Sequence, residues 1–339
     1  MAEHMPYPTW HPESLAARLP FLRRRAEVTR ATRTFLVDRG YTEVETPCAV
    51  PAPGEEVHLR PYATARYHPD GRQEPLWLHT SPEFAMKKLL AGGAGPIFQF
   101  ARVWRNGEGS ALHAPEFTML EWYRPGFGMD DLIAETTDLL RAVLPPVVAC
   151  RGVRTDLSRI ERLTVAEAFQ RHTGADVLAT AGDAPALAAA AGVRLRAHET
   201  WEDLFFRLLL DRIEPRIGHD HPTFLTHWPA DQAALARRDP ADPRVAERFE
   251  LFVCGMELAN AFVELTDAVE QRTRFEADRA RRHALYGPDW DMDEAFLAAL
   301  AHGMPESAGI ALGFDRLAMI AGGADRIGQV LWLPPDDLI

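Results

Sequence analysis

The sequence predicts an α+β fold, with a mostly antiparallel sheet flanked by helices. Three observations carry this. Strand-like stretches fall in adjacent pairs, as hairpin strands do. Helical stretches flank those pairs. Neither an internal repeat nor a long linker interrupts the 339 residues.

The elements follow in order. Residues 1–14 form an irregular N-terminal arm rich in Pro, Trp and His. Over 12–38, Leu15, Leu19, Leu22, Ala26, Val28, Thr32, Phe35 and Leu36 make a broken apolar stripe of helical period. Gly40 stops that helix. Residues 41–47 alternate like a strand and end at Pro47. The Pro- and Gly-bearing stretch 50–75 reads as loops with short strands. A helix over 82–90 opens with proline in its first turn. Strands over 97–104 and 116–123 form a long-looped hairpin. Helices follow over 129–143 and 163–172, with an Ala-rich helical element over 174–198 and a helix over 201–213. Strand-like runs come at 223–228, 248–254 and 256–265, and a charged helix at 267–285. A short strand at 310–312, a glycine turn and a helix over 314–321 close the chain. The expected organisation is one catalytic domain over 15–339 with a small helical insertion around 150–210.

Composition narrows the function. Hydrophobic residues make up 47% and charged residues 25%, ordinary for a globular protein. The net charge of −12 argues against avid, non-specific binding to phosphate backbones. Cys48, Cys150 and Cys254 are few, odd in number and far apart, which argues against a disulfide framework or zinc site and fits a reducing compartment. There is no signal-peptide pattern, and no apolar run approaches the roughly 20 residues of a membrane span. The expectation is a cytoplasmic protein with no membrane partner.

Three segments carry candidate chemistry. In 100–108, alternation puts Phe100, Arg102 and Trp104 on one strand face, and Arg105 falls at the loop edge. A guanidinium there can grip a phosphate bidentately, or it can be an ordinary surface arginine. In 255–267, Glu257 and Glu264 lie seven apart with apolar residues between them. Buried carboxylates need cations, so the pair points to Mg²⁺ or an ammonium, unless it is solvent-facing. In 309–317, Gly313 opens a helix with Arg316 in its first turn, an anion site or a plain glycine bend.

Together these segments resemble class II aminoacyl-tRNA synthetases. The helix and strand ending in Pro47 resemble motif 1, the Arg105 hairpin motif 2, and Gly313-Phe314-Asp315-Arg316 motif 3. The strings Thr80-Ser81-Pro82-Glu83, 115–123 and Glu257-Leu258-Ala259-Asn260 are similar to the lysyl branch. Trp122-Tyr123-Arg124-Pro125 and Ala311 resemble its elongation factor P–(R)-β-lysine ligase paralogues. Only a short arm precedes motif 1, so no anticodon-binding domain is expected.

The resemblance implies activation of lysine or (R)-β-lysine as an adenylate, with ATP and Mg²⁺. Arg105 and Arg316 are the implied catalytic residues. Arg105, Asn106, Gly107, Glu108, Ala114, Phe117, Glu257, Leu258, Gly313 and Arg316 are implied at ATP, with Phe117 stacking on adenine. Ser81, Pro82, Glu83, Tyr123, Asn260, Glu264 and Ala311 are implied at the amino acid, and Glu257 and Glu264 at the metal. The implied acceptor is a lysine side chain of elongation factor P rather than tRNA, and motif 1 implies a homodimer. The family pattern is broken at Gly107, where motif 2 usually has glutamate, and at Ala114, Ala261 and Val263. A truncated lysyl-tRNA synthetase, an inactive synthetase-like binding module and a small-molecule amide ligase stay open as alternatives.

Overall fold

The computed structural model describes residues 7–233, 235–287 and 289–335. Of the expected N-terminal arm, residues 1–6 lie outside the described residues. The chain forms two compact units, one from residues 1–127 and 265–339 and one from 128–264.

The first unit opens with α1 (Pro12–Asp38). Pro12 sits in its first turn, the His11 side chain accepts from the Glu13 N–H, and Gly40 (φ +82°) follows its end. The stripe is broken because its buried face carries two arginines, Arg18 and Arg25, among Leu22, Val28, Phe35 and Leu36. Both arginines are answered. Arg18 donates to Leu331 O (2.6 Å) and Thr9 O (2.7 Å). Arg25 pairs with Asp315 and donates to Thr118 Oγ1 at 3.0 Å.

Next come β1 (Thr42–Glu43), β2 (Ala49–Val50), β3 (Tyr62–Tyr67) and β4 (Gln73–Leu78). The expected strand over 41–47 is thus only two residues long, pairing parallel with β5 (Ile97–Trp104), because an extended chain heading into Pro47 leaves the ladder early. β2, β4 and β3 form a small antiparallel side sheet. Before β5 comes α2 (Glu83–Ala91), with Pro82 just ahead of its first turn. β5 pairs antiparallel with β6 (Glu116–Pro125), and Val103 faces Phe117 across the ladder.

The second unit holds α3 (Met129–Val143), β7 (Val147–Cys150), β8 (Val153–Asp156), β9 (Glu161–Thr164), α4 (Val165–Thr173), α5 (Ala184–Ala190), α6 (Trp201–Leu208), β10 (Thr223–Pro229), β11 (Val245–Val253) and β12 (Met256–Val263). Its strands run in the order β12–β11–β10–β9, antiparallel except for β9 with β10. Three helices cover them through a core of Phe169, Leu187, Phe205, Leu225, Trp228 and Phe252. The expected helix over 201–213 changes at Leu208 into a π-turn over Leu209–Ile213. The strands at 147–164 escape sequence periodicity because each has only four residues.

The chain then returns to the first unit as α7 (Ala268–Tyr286), α8 (Glu294–Gly303), β13 (Ser307–Gly313) and α9 (Phe314–Gly322). β13 pairs antiparallel with β6. The α+β class and the mainly antiparallel pairing are as the sequence predicts.

Candidate active site

In the first unit, one ladder position aligns Gln99 with Glu121 and Ala311, and another aligns Ala101 with Met119 and Gly313. Side chains alternate along each strand, so Phe117, Met119, Glu121, Tyr123 and Ala311 share one face. Ala101, Val103 and Met119 are its buried floor, with Phe117 and Ala311 packed against them.

Glu121 was not singled out in the sequence, and it is the most constrained group here. It is 0% exposed. Ser81 Oγ donates to its Oε1 at 2.6 Å and Tyr123 Oη to its Oε2 at 2.7 Å. Burial, then the charge of Glu83, pushes its pKa up to about 8, against those hydrogen bonds and Lys87. Ser81 also accepts from the Glu83 N–H at 3.0 Å, which sets the first turn of α2. Lys87 Nζ meets Glu83 Oε1 at 2.5 Å, one helical turn on. Ser81, Glu83, Glu121 and Tyr123 are therefore brought together, with Pro82 fixing the turn. Glu121 could have been found from its place two residues before Tyr123 in an alternating strand.

Glu56 was also missed. Its carboxyl is held above the ordinary range by burial first and by Glu83 second, while Arg105 draws it down. The loop that carries it is anchored on both sides of Glu56. Trp290 Nε1 donates to Gly54 O at 2.8 Å, Arg282 Nη1 to Glu55 Oε2 at 2.8 Å, and Asn106 N to Arg60 O at 2.6 Å.

Arg105 leaves β5 with its N–H donating to Pro115 O at 2.9 Å, which closes the base of the motif 2 loop. Its guanidinium carbon lies 5.1 Å from the Phe117 ring centroid. Arg105 Nε is buried without a hydrogen-bond partner among the described residues, a donor suited to an anion. Gly107 sits at φ +86° with open space where a Cβ would be, so this position supplies a turn rather than a side chain. Asn106 is exposed, Glu108 half-buried and Ala114 buried.

Gly313 is extended and leads straight into α9. Asp315 accepts from Arg25 and from the Thr118 N–H (2.8 Å), which ties α9 to α1 and β6. Arg316 Nη2 lies 2.6 Å from His113 Nε2. Arginine only donates, so His113 Nε2 accepts, and its Nδ1 donates to Ser110 Oγ at 2.9 Å.

In the second unit, Glu257 pairs with Phe252, Asn260 with Glu250, and Arg248 with Phe262. A spacing of seven would put Glu257 and Glu264 on opposite faces of a regular strand. The register shifts between Leu251 and Phe252, leaving Leu258 as the extra residue of a bulge. By alternation beyond it, Glu257, Asn260 and Glu264 share one face, and Leu258 is buried. Glu264 is 1% exposed. Opposite Asn260, Glu250 is pushed up to about 8 by burial first and the charge of Glu257 second. Hard carboxylate oxygens under mutual repulsion suit a divalent magnesium ion chemically. Among the described residues no three His, Cys, Asp or Glu side chains close round one point, so a cation here would need further oxygens from its ligand.

A family model described as tRNA synthetases class II (D, K and N) matches residues 16–337. The chain belongs to that family. This class II synthetase is 46% identical over 328 residues to a Klebsiella pneumoniae protein named elongation factor P–(R)-beta-lysine ligase, covering 95% of this chain and 96% of that one. Proteins of the same name from Sodalis glossinidius (45% over 328 residues, 95% and 96% covered) and Hamiltonella defensa (42% over 330 residues, 96% and 97% covered) are similar along the same span. Within the class II synthetases it therefore groups with these ligases. No described helix is long and apolar enough to cross a membrane.

Proposed function

We propose that this protein uses ATP to activate (R)-β-lysine, or lysine, as its adenylate and transfers it to a lysine side chain of elongation factor P. The observation that carries this reading is identity of 42–46% along nearly the whole chain to ligases of that name. The catalytic domain is taken as 15–339, its insertion around 150–210 holding β8 and β9 as well as the expected helices, and as working as a homodimer in the cytoplasm.

The site supports an amino acid with two amines. Glu83 and Glu121, with the Tyr123 and Ser81 hydroxyls, offer acceptors for an ammonium group, and Ala311 lies on the same strand face. Glu121 holds a proton most readily when the site is empty, and a substrate cation replaces that proton as counter-charge. Arg105 grips the substrate carboxylate and the α-phosphate, using the donor that the protein leaves unpaired. Phe117, beneath Arg105, offers the adenine a stacking face. Asn106, Gly107, Glu108 and Ala114 line the nucleotide loop, Leu258 backs Glu257, and Gly313 brings Arg316 to the outer phosphate at the start of α9. Glu257 and Glu264 would hold Mg²⁺, which would neutralise phosphate charge.

In the first step the carboxylate attacks the α-phosphorus and pyrophosphate leaves. In the second, the neutral acceptor amine attacks the carbonyl carbon, the bond to AMP breaks, the nitrogen gives its extra proton to solvent and an amide forms. Arg105 and Arg316 act by holding charge and geometry rather than by moving protons. Intact-mass measurement of elongation factor P after incubation with ATP, Mg²⁺ and each lysine isomer tests the reading. A lysyl-sized gain that needs ATP supports it. Charging of tRNA with no gain on the factor replaces it with a lysyl-tRNA synthetase.

A further inference from the structure

We propose that Arg248 is a positioning residue that fixes the Asn260 side-chain amide with its NH₂ group turned to the substrate as a donor to an anionic oxygen. The inference rests on the reading of Asn260 as part of the substrate site, and all of its geometry lies within β10, β11, β12 and their connections.

Arg248 and Asn260 sit on neighbouring strands, Arg248 opposite Phe262 and Asn260 opposite Glu250. The guanidinium is held on every side. Its Nη1 donates to Gln232 O at 2.7 Å, its Nη2 to Glu250 Oε1 at 2.7 Å and its Nε to Asn260 Oδ1 at 3.2 Å. Its carbon stacks 4.1 Å from the Trp228 ring centroid and 5.8 Å from that of Phe262. The Arg248 and Glu250 side chains are 11% and 10% exposed. Such a group cannot turn away without losing several contacts together.

A guanidinium has donors and no acceptor. Only the carbonyl end of the Asn260 amide can face it, so the orientation of that amide is dictated by its partner. The NH₂ end then points away from Arg248. Asn260 is half-buried, and no other side-chain hydrogen bond holds it among the described residues. An NH₂ group donates and cannot accept, so it is useless to an ammonium and suited to a carboxylate or phosphate oxygen. Asn260 is thereby sorted from its acidic neighbours. Glu257 and Glu264 take cations, whereas Asn260 takes the anionic end of a ligand. Lysine would not do Arg248's task, because one flexible ammonium cannot hold Gln232, Glu250 and Asn260 in a planar fork.

The test titrates three ligands into the full-length protein and its Arg248→Lys variant by calorimetry: (R)-β-lysine, ATP, and 1,5-diaminopentane, which has two amines and no carboxylate. One lost oriented hydrogen bond corresponds to about a tenfold weaker Kd. The expected result is about tenfold weaker (R)-β-lysine with ATP and the diamine within twofold, which assigns the donor to the carboxylate. A tenfold loss confined to ATP also supports the proposal and assigns it to a phosphate. Equal weakening of all three, or of none, overturns it. Asn260→Asp reads the same point without touching the Arg248 packing, and should weaken the same single ligand. Wild-type ATP–pyrophosphate exchange is measured in parallel. Binding of (R)-β-lysine without exchange sinks the ligase reading and leaves the Arg248 inference standing. Absence of binding by all three ligands overturns both.

Discussion

Glu121→Gln separates a buried acid that is tuned for a cation from one that merely fills space. Glu121 is 0% exposed, and burial with Glu83 beside it raises its pKa from 4.5 to about 8. A carboxyl raised in this way keeps its proton in the folded protein at a pH where the unfolded chain has lost it. Between about 4.5 and about 8 the folded state binds more protons, so stability falls as pH rises through that window. Glu250, at about 8, and Glu55, at about 7, add to the same trend. A gap of three to four pH units at about 1.4 kcal/mol each makes the Glu121 penalty on the order of 4 kcal/mol at pH 8. At pH 5 it is below about 1 kcal/mol. Glutamine never ionises, and because its NH₂ end only donates, one of the Ser81 and Tyr123 hydroxyls turns from donor to acceptor. Glu121→Gln should therefore stabilise the ligand-free protein by about 2–4 kcal/mol at pH 8 and change it little at pH 5. Urea unfolding followed by tryptophan fluorescence at both pH values reads this difference. Equal effects at the two values, or destabilisation at pH 8, would show that Glu121 is charged in the folded protein and refute the reasoning. The same variant should bind a diamine substrate more weakly, since its counter-charge is gone.

Three further outcomes are expected. Arg105→Ala should lower ATP–pyrophosphate exchange by about 10²–10³-fold while costing far less stability than Asp315→Ala, because its Nε holds no described hydrogen bond and the described losses are the Phe117 contact and the charge beside Glu56. Asp315→Ala should cost about 3–5 kcal/mol in urea unfolding, since it strands the Arg25 guanidinium, whose side chain is 9% exposed, and frees the Thr118 N–H. Gly218→Ala should destabilise by at least about 1–3 kcal/mol, because Gly218 sits at φ +69° and a Cβ there would lie 2.7 Å from the Phe252 backbone carbon. An alanine at Gly107 (φ +86°) meets open space, so it should cost only the left-handed backbone strain, about 1–2 kcal/mol, and provides the contrast.

Much of the fold was legible in the sequence. The hairpin over 97–104 and 116–123, the helix over 12–38 and the turn at Gly313 each declare themselves by local period and by Pro or Gly at their ends. So does the alternation that puts Glu121 and Tyr123 on one strand face, though its value shows only once Ser81 is seen against it. The short strands at 147–164 were hidden because four residues are too few to establish a period. The two arginines on the buried face of α1 were illegible for a different reason: their partners are remote, Asp315 lying 290 residues from Arg25 and Leu331 lying 313 from Arg18.

The sequence by itself determined the residue types: arginines at loop and helix ends, carboxylates among apolar neighbours and glycines at turns. Chain order and local period are enough for that. Tertiary structure alone decided which of them share a face. The bulge at Leu258 turns Glu257 to the side of Glu264, because one unpaired residue inverts the alternation beyond it. Ladder register sets Glu121 beside Ala311, and the start of α2 brings Ser81 to it from 40 residues away. Only then does burial apply to the carboxyl, because desolvation depends on everything packed round a group and not on the residues next to it in the chain.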